Sequence, residues 1–275
     1  MTKRKGVALI FVLWLLVLIG LAAADVVTRA RTESAMVTDM RARALGQYAA
    51  ESGILLMTST IESLLDSATT PAQRATVFHA LEIESTVPHE QVLGAAHFAV
   101  ALIDLNARLD VNRTDPKTLS ALFRQFTGGS AEDIVAALKQ EPVSRFPELA
   151  RVPGIDDDLA VAVAPYVTVW GDGLIDINAA PEQVLASIAT VGQAGAQSII
   201  ARRAQGVLTS ADGFRGSPAG GPVAIDAPLL TIAPSRIMLV SRGWQPGTPL
   251  THEIQAVYLV ISNRLVLQSW EERDR

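Results

Sequence analysis

Cysteine is absent from all 275 residues. That excludes a disulfide scaffold, a thiolate metal site, an iron–sulfur cluster, a cysteine nucleophile and a lipoprotein-type lipid anchor. It leaves the compartment open, because a chain with a large core needs no disulfide outside the cell. Histidine is scarce too: His79, His89, His97 and His252 are the whole set, and no two form an HExxH pair. No Lys-Ser/Thr pair follows a glycine-rich loop, and Gly171-Asp172-Gly173 lacks the third glycine of a dinucleotide site. In Gly216-Ser217-Pro218-Ala219-Gly220 the serine comes one place too early for a nucleophile elbow and is followed by proline. Aromatic residues make up only 5% of the chain. Acidic residues outnumber basic ones, 28 to 23, for a net charge of −5, which disfavours wrapping nucleic acid.

What the chain has in quantity is apolar residues, 49%, which excludes wholesale disorder; its length allows one or two domains. Much of that apolar content sits at one end. Lys3, Arg4 and Lys5 precede Gly6, and the eighteen residues from Val7 to Ala24 carry no charge. As a helix they span about 27 Å, close to one hydrocarbon core, and the cations before them stay on the cytoplasmic side. Three readings compete. A cleaved signal peptide would end at Ala22-Ala23-Ala24, before Asp25. A plain signal anchor would keep everything. A prepilin leader would be cut after Gly6 and keep the apolar helix, taking the net charge from −5 to −8 as Lys3, Arg4 and Lys5 leave.

The sequence beyond Ala24 separates these readings. It holds no proline until Pro71 and is rich in helix formers. One helix from Val7 to about Ser67 is expected, continuous from membrane to globular body. Leu45, Tyr48, Ser52 and Leu55/Leu56, spaced three or four apart, predict the face that packs on that body, with Gly46 and Gly53 as interruptions.

The basic leader, Gly6, the apolar helix and the run Gln47-Tyr48-Ala49-Ala50-Glu51-Ser52-Gly53-Ile54 together resemble a type II secretion pseudopilin. The glutamate that pilins carry near the start of the mature helix would fall at Phe11. In ordinary pilins that carboxylate is thought to pair with the amino terminus of the next subunit, and an unpaired charge in lipid is costly. A subunit with nothing above it can dispense with it, as is typical of the large minor pseudopilin, the general secretion pathway protein K (GspK) family.

Further along, a short helix is expected around Ala72–Leu81. His97–Asp104 reads as a strand with Arg108–Val111 as its partner, and Arg236–Arg242, His252–Ile261 and Arg264–Trp270 read as strands. Ser262-Asn263 suits a hairpin between the last two. Alternation along Glu253–Tyr258 suggests a sheet with one face under the N-terminal helix. Residues from Pro116 to about Gly206 read as mainly helical, and Gly206 to Pro228 as a Gly/Pro-rich loop. Within the helical part lies an imperfect repeat. Leu109-Asp110-Val111-Asn112 leads to Pro116, Leu119 and Leu122; Ile175-Asp176-Ile177-Asn178 leads to Pro181, Val184 and Ile188.

These segments extend the GspK resemblance over nearly the whole chain, through Asp104-Leu105-Asn106, Arg151-Val152-Pro153-Gly154-Ile155, Ala164–Val169, Ile177-Asn178-Ala179-Ala180-Pro181 and the closing Leu265–Trp270. The expected fold class is α+β. A pilin-like long N-terminal helix packs on an antiparallel sheet, with a large all-α subdomain inserted between strands. The expected parts are a leader (1–6), the transmembrane and outer portions of the helix (7–24 and 25–70), a first α/β part (71–112), the insert with its loop (113–228) and the final strands (229–275).

The resemblance implies cleavage by a prepilin peptidase between Gly6 and Val7 with methylation of the new amino terminus, guided by Lys3, Arg4 and Lys5. Phe11, Trp14, Leu18, Leu45, Tyr48 and Leu55 would serve the membrane and assembly helix. It also implies the inner membrane as location and I- and J-type minor pseudopilins as partners, with contacts to the secretin and to secreted substrates more remote. Some family members bind calcium. Asp172, Asp176, Asp212 and Asp226 lie in or beside glycine-rich stretches, but no ligand set is assignable and the Asp156-Asp157-Asp158 triplet lacks EF-hand spacing. No other cofactor and no catalytic residue is indicated. The rival readings are a helix-hairpin-helix DNA-binding or DNA-uptake module at Val152–Ile155 and Ile177–Pro181, a type IV pilus minor pilin, and a Sec-exported hydrolase whose triad assembles only in space. Against the first, the three aspartates sit where a phosphate would bind.

Overall fold

The computed structural model describes residues 4–87, 89–129, 131–214 and 229–275. The first helix, α1, runs unbroken from Arg4 to Ser67, about 96 Å at 1.5 Å per residue. Every residue from Leu9 to Arg41 is exposed, so the helix stands out from the body by roughly 50 Å before its first buried residue, Ala42. A second helix, α2 (Pro71–Ser85), follows at once. Thr70 caps it by accepting from Gln73 N at 3.2 Å, and Gln73 reaches back to Thr70 N, so the helix starts at the first proline after α1 and extends past the expected Leu81.

The body under α1 is a five-stranded antiparallel sheet in the order β1-β2-β7-β8-β9. Its strands are β1 (Gln91–Leu93), β2 (Ala96–Asp104), β7 (Arg236–Trp244), β8 (Thr251–Ile261) and β9 (Arg264–Asp274). Ser262, at φ 54°, makes the tight β8–β9 turn. On one face Ile237, Leu239, Ile254, Ala256 and Tyr258 are buried with Ala50, Ile54, Ile61 and Leu65 of α1.

One expectation fails here. The partner of β2 is β7, not residues 108–111: Asp104 stands opposite Ile237. Leu109–Asp110 forms a separate short strand, β3, which pairs in parallel with β4 (Val167–Thr168). The chain leaves the sheet at Leu105 and returns to it at Ser235. The reason is local. Leu105 N donates to Arg236 O at 3.1 Å, and Asn106 Oδ1 accepts from both Ser235 N and Arg236 N at 2.9 Å, so this side chain holds the two ends of the insert together.

The packing face of α1 also differs. Tyr48 is 66% exposed and Leu55 71%, while Ala42, Ala49, Ala50, Ile54, Ile61 and Leu65 are buried. The true face is turned by roughly a third of a revolution from the one expected. Its contact is made by small residues because the helix backbone almost touches β7. A Cβ on Gly243 would lie 2.5 Å from Ala50 N, one on Gly46 3.0 Å from Gly243 O, and one on Gly53 2.5 Å from Ser241 Oγ. Of the presumed contact residues, Leu45 is the one that packs inward, half-buried near Ala49, Ala96 and Phe98.

The insert has its own core, built on Leu109, Leu119, Leu122, Phe123, Leu138, Val163 and Ile175 among others. Its helices are α3 (Pro116–Thr127), α4 (Glu132–Gln140), α5 (Asp157–Val163), α6 (Glu182–Ser187) and α7 (Gly192–Arg203). A second parallel pair joins β5 (Leu174–Asp176) to β6 (Leu229–Thr231). Replacing Gly243 by valine is expected to destabilise the body by about 1–3 kcal/mol, since neither backbone can yield. Gly129→Ala, where nothing lies within 4 Å, is the neutral control. Thermal unfolding followed by circular dichroism checks both.

Candidate assembly interface

The surface that α1 keeps free carries a row of apolar residues. At roughly 100° per residue, Val26, Ala30, Val37, Ala44, Tyr48 and Leu55 fall along one side of the helix, opposite Ala42, Gly46, Ala49 and Gly53. Met40 lies at the edge of this stripe, and Val26, Val37, Met40, Tyr48 and Leu55 are all exposed. Toward the N-terminus the stripe merges with a helix surface that is apolar all round, where Phe11, Trp14 and Leu18 are exposed. Among the described residues this is the one helix long and apolar enough to cross a membrane. Arg4, Lys5, Gly6 and Val7 lie in its first turns; Lys3 lies outside the described residues.

The far end of α1 is fixed to the body by charge. Glu62 Oε1 accepts from Leu265 N at 2.9 Å and its Oε2 from Arg264 Nη1 at 2.9 Å, holding the Glu62 carboxyl below the usual range. Arg43 bonds Asp274 at 2.9 Å, and Asp274 also accepts from His252 Nδ1 at 2.8 Å. Beside them the fully buried Glu253 receives Arg242 Nε at 2.7 Å, Arg273, and Arg275 Nη2 at 3.2 Å. Burial alone would raise the Glu253 pKa, but the hydrogen bonds from Arg242, Arg273 and Gln255 outweigh it and hold the value at about 2. His97 pairs with Glu90. Two of the four histidines thus hydrogen-bond to carboxylates on the sheet.

The insert proves to be one device used twice. Asp110 Oδ1 accepts from Asn112 N and Asp176 Oδ1 from Asn178 N, each at 2.8 Å. Asn112 then exchanges two hydrogen bonds with the backbone of Val143, both 2.9 Å, and Asn178 does the same with Leu208, at 3.0 and 2.8 Å. Each loop is closed by a cation from the last turn of a following helix. Lys139 Nζ donates to Asn112 O at 2.8 Å and Thr114 O at 2.6 Å; Arg203 Nη1 donates to Ala180 O at 2.6 Å. Burial pushes the Lys139 ammonium down from its usual range, against the pull of Asp110 and Asp115. Sequence spacing exposes the Asp-x-Asn pairs. It cannot show the cations, because Lys139 and Arg203 reach their loops only through the tertiary fold.

The acidic residues suspected as calcium ligands are engaged elsewhere. Asp172 accepts from Asn106 Nδ2 at 2.8 Å and from Ser235 Oγ. Asp176 caps its own loop, and Asp212 accepts from Ser210 at 3.0 Å. Asp226 and the Gly216–Gly220 run lie outside the described residues. Among the described residues no three His, Asp or Glu side chains converge as a metal donor set. At the proposed phosphate-gripping turn, Asp156 itself accepts from Leu159 N at 2.8 Å, with Asp157 and Asp158 in the first turn of α5. That helix end already holds its anion.

Comparison with known proteins separates fold from sequence. No family model matches the chain, and no curated protein does. Among solved structures, a chain from the crystal structure of the GspK–GspI–GspJ complex of the enterotoxigenic Escherichia coli type 2 secretion system superposes with a TM-score of 0.52. The match covers 80% of this chain and 95% of that one, at 14% identity. The fold is pseudopilin-like. At that identity the likeness speaks for architecture: a long N-terminal helix on an antiparallel sheet, with further helices.

If the exposed stripe contributes nothing to the body, Tyr48→Glu and Leu55→Glu should change its stability by no more than about 0.5 kcal/mol. Ala49→Glu, which buries an unpaired charge, should unfold it. Urea titration of the three variants checks the contrast.

Proposed function

We propose that the chain is a minor pseudopilin of the GspK type, anchored in the inner membrane by Val7–Ala24 and assembled into the tip of a type II secretion pseudopilus. One observation carries this reading. Along α1 the apolar residues Val26, Ala30, Val37, Ala44, Tyr48 and Leu55 recur, bordered by Glu33, Arg41 and Glu51, from the end of the apolar segment into the body on the side the body does not use. A helix of a lone soluble protein has no reason to keep such a stripe free, whereas a helix that packs beside its equivalents in a fibre requires one. The exposed Phe11 supports a position at the top of the fibre, since no carboxylate stands there to receive the amino terminus of a subunit above. The insert, projecting from the β2–β7 connection, adds the bulk that would cap the assembly.

On this reading a prepilin peptidase cuts after Gly6 and methylates Val7, and the I- and J-type minor pseudopilins pack along the stripe. The solved neighbour is itself named as a complex of K, I and J components. The role is mechanical: initiating and capping a fibre that drives protein export, with the secretin and secreted substrates as more distant contacts.

Co-purification tests the proposal. The detergent-solubilised protein should retain I- and J-type pseudopilins. Val37→Asp combined with Tyr48→Asp should reduce that capture at least about tenfold, as expected when charges replace anchors at a helix interface, while leaving the body folded. Undiminished capture by the double variant would remove the stripe from the interface.

A further inference from the structure

Where the insert joins the sheet, five ionisable groups from five different elements face one another. Asp104 ends β2, Asp176 ends β5, Glu82 comes from α2, Arg108 from the β2–β3 connection and Arg203 from the last turn of α7. Asp172 lies close by but is taken up by Asn106 and Ser235. Asp104 is buried; its Oδ1 accepts from Asn106 N at 2.6 Å, and its Oδ2 has no donor at all. The Asp176 carboxyl, itself buried, faces Asp104 within hydrogen-bonding reach, and two ionised carboxylates cannot bond. With one proton between them the pair closes the missing hydrogen bond. The cluster then also balances: the pair and Glu82 carry two negative charges against Arg108 and Arg203.

We propose that Asp104 and Asp176 share a proton and form a pH-dependent latch that holds the insert to the sheet. The pair sits on the bonds that make this joint. Asp176 N donates to Asn106 O at 2.9 Å, and Asn106 Nδ2 donates to Leu174 O at 3.0 Å. Losing the shared proton places two like charges at the ends of β2 and β5, strands of two different sheets, in a poorly solvated site, which pushes β5 from β2. A cleft of about 350 Å³, lined by Glu82, Ser85, Asp104, Arg108, Pro165 and Pro181, gives protons a route in. Burial drives both carboxyls above their ordinary value of 3.8, Asp176 to about 7. The folded joint thus holds a proton that the unfolded chain releases. The stabilisation is complete below about pH 4 and falls as pH rises through about 7, where Asp176 ionises first. It falls further as Asp104, held well above 3.8 by burial and by that ionised carboxylate, gives up the remaining shared proton. The latch is independent of the assembly role.

Amide hydrogen exchange on the full-length protein in detergent micelles tests it, with rates corrected for intrinsic pH dependence. Protection at residues 104–108 and 174–178 should fall about tenfold between pH 5.5 and 8.5, while the β7–β8 ladder holds its protection. Asp104→Asn, whose amide replaces the neutral carboxyl, should abolish that fall; Asp176→Asn serves equally if the first variant does not fold. Protection at the joint that ignores pH in the wild-type protein overturns the proposal without any variant. So does a fall that persists in a folded asparagine variant.

Discussion

The structure depends on how closely the backbone of α1 approaches β7. Gly46, Gly53 and Gly243 allow a distance at which any side chain would collide with main chain or with Ser241. This contact fixes the rotation of the helix about its own axis. Where α1 crosses β7 the buried face is made of Ala42, Gly46, Ala49, Ala50 and Gly53, and the larger apolar residues Tyr48 and Leu55 stay exposed on the other side. The face given to the sheet therefore determines which face is left for other helices. The glycines are helix-weakening by propensity, at about 1 kcal/mol each relative to alanine; here close packing on the sheet offsets that cost.

The same economy governs the insert. It does not grow from the end of the body but from the β2–β7 connection, and its two ends meet at Asn106. A single side chain accepting two backbone N–H groups and donating to Asp172 and Leu174 lets a large helical unit interrupt a sheet without disturbing strand register, since Asp104 still faces Ile237. Inside, the duplicated Asp-x-Asn loops, each closed by Lys139 or Arg203, satisfy buried carbonyls with the chain's own cations.

Much of this was legible in the sequence, for physical reasons. The length of α1, the three long C-terminal strands and the helical insert each follow from local signals: proline-free stretches, period-two alternation and proline punctuation. What local signals could not supply was pairing. Leu109–Asp110 has the alternation of a β2 partner, but the Asn106 staple brings Arg236 there instead, a residue 130 positions away. The packing face of α1 was misjudged because large apolar residues were assumed to point inward. That rule fails when the inward contact is backbone to backbone, and the positions read as interruptions, Gly46 and Gly53, are the contact itself. The Asp104–Asp176 pair was invisible for a related reason, since only the folded insert brings these carboxyls together.

All of this rests on α1 being retained as one helix from membrane to body. The most direct measurement is the amino-terminal sequence and mass of the protein extracted from its native membrane. The account predicts a mature chain that begins at methylated Val7, with the apolar helix intact. A chain beginning at Asp25 would show that the segment is a discarded signal peptide, and the fibre-forming role would fall with it.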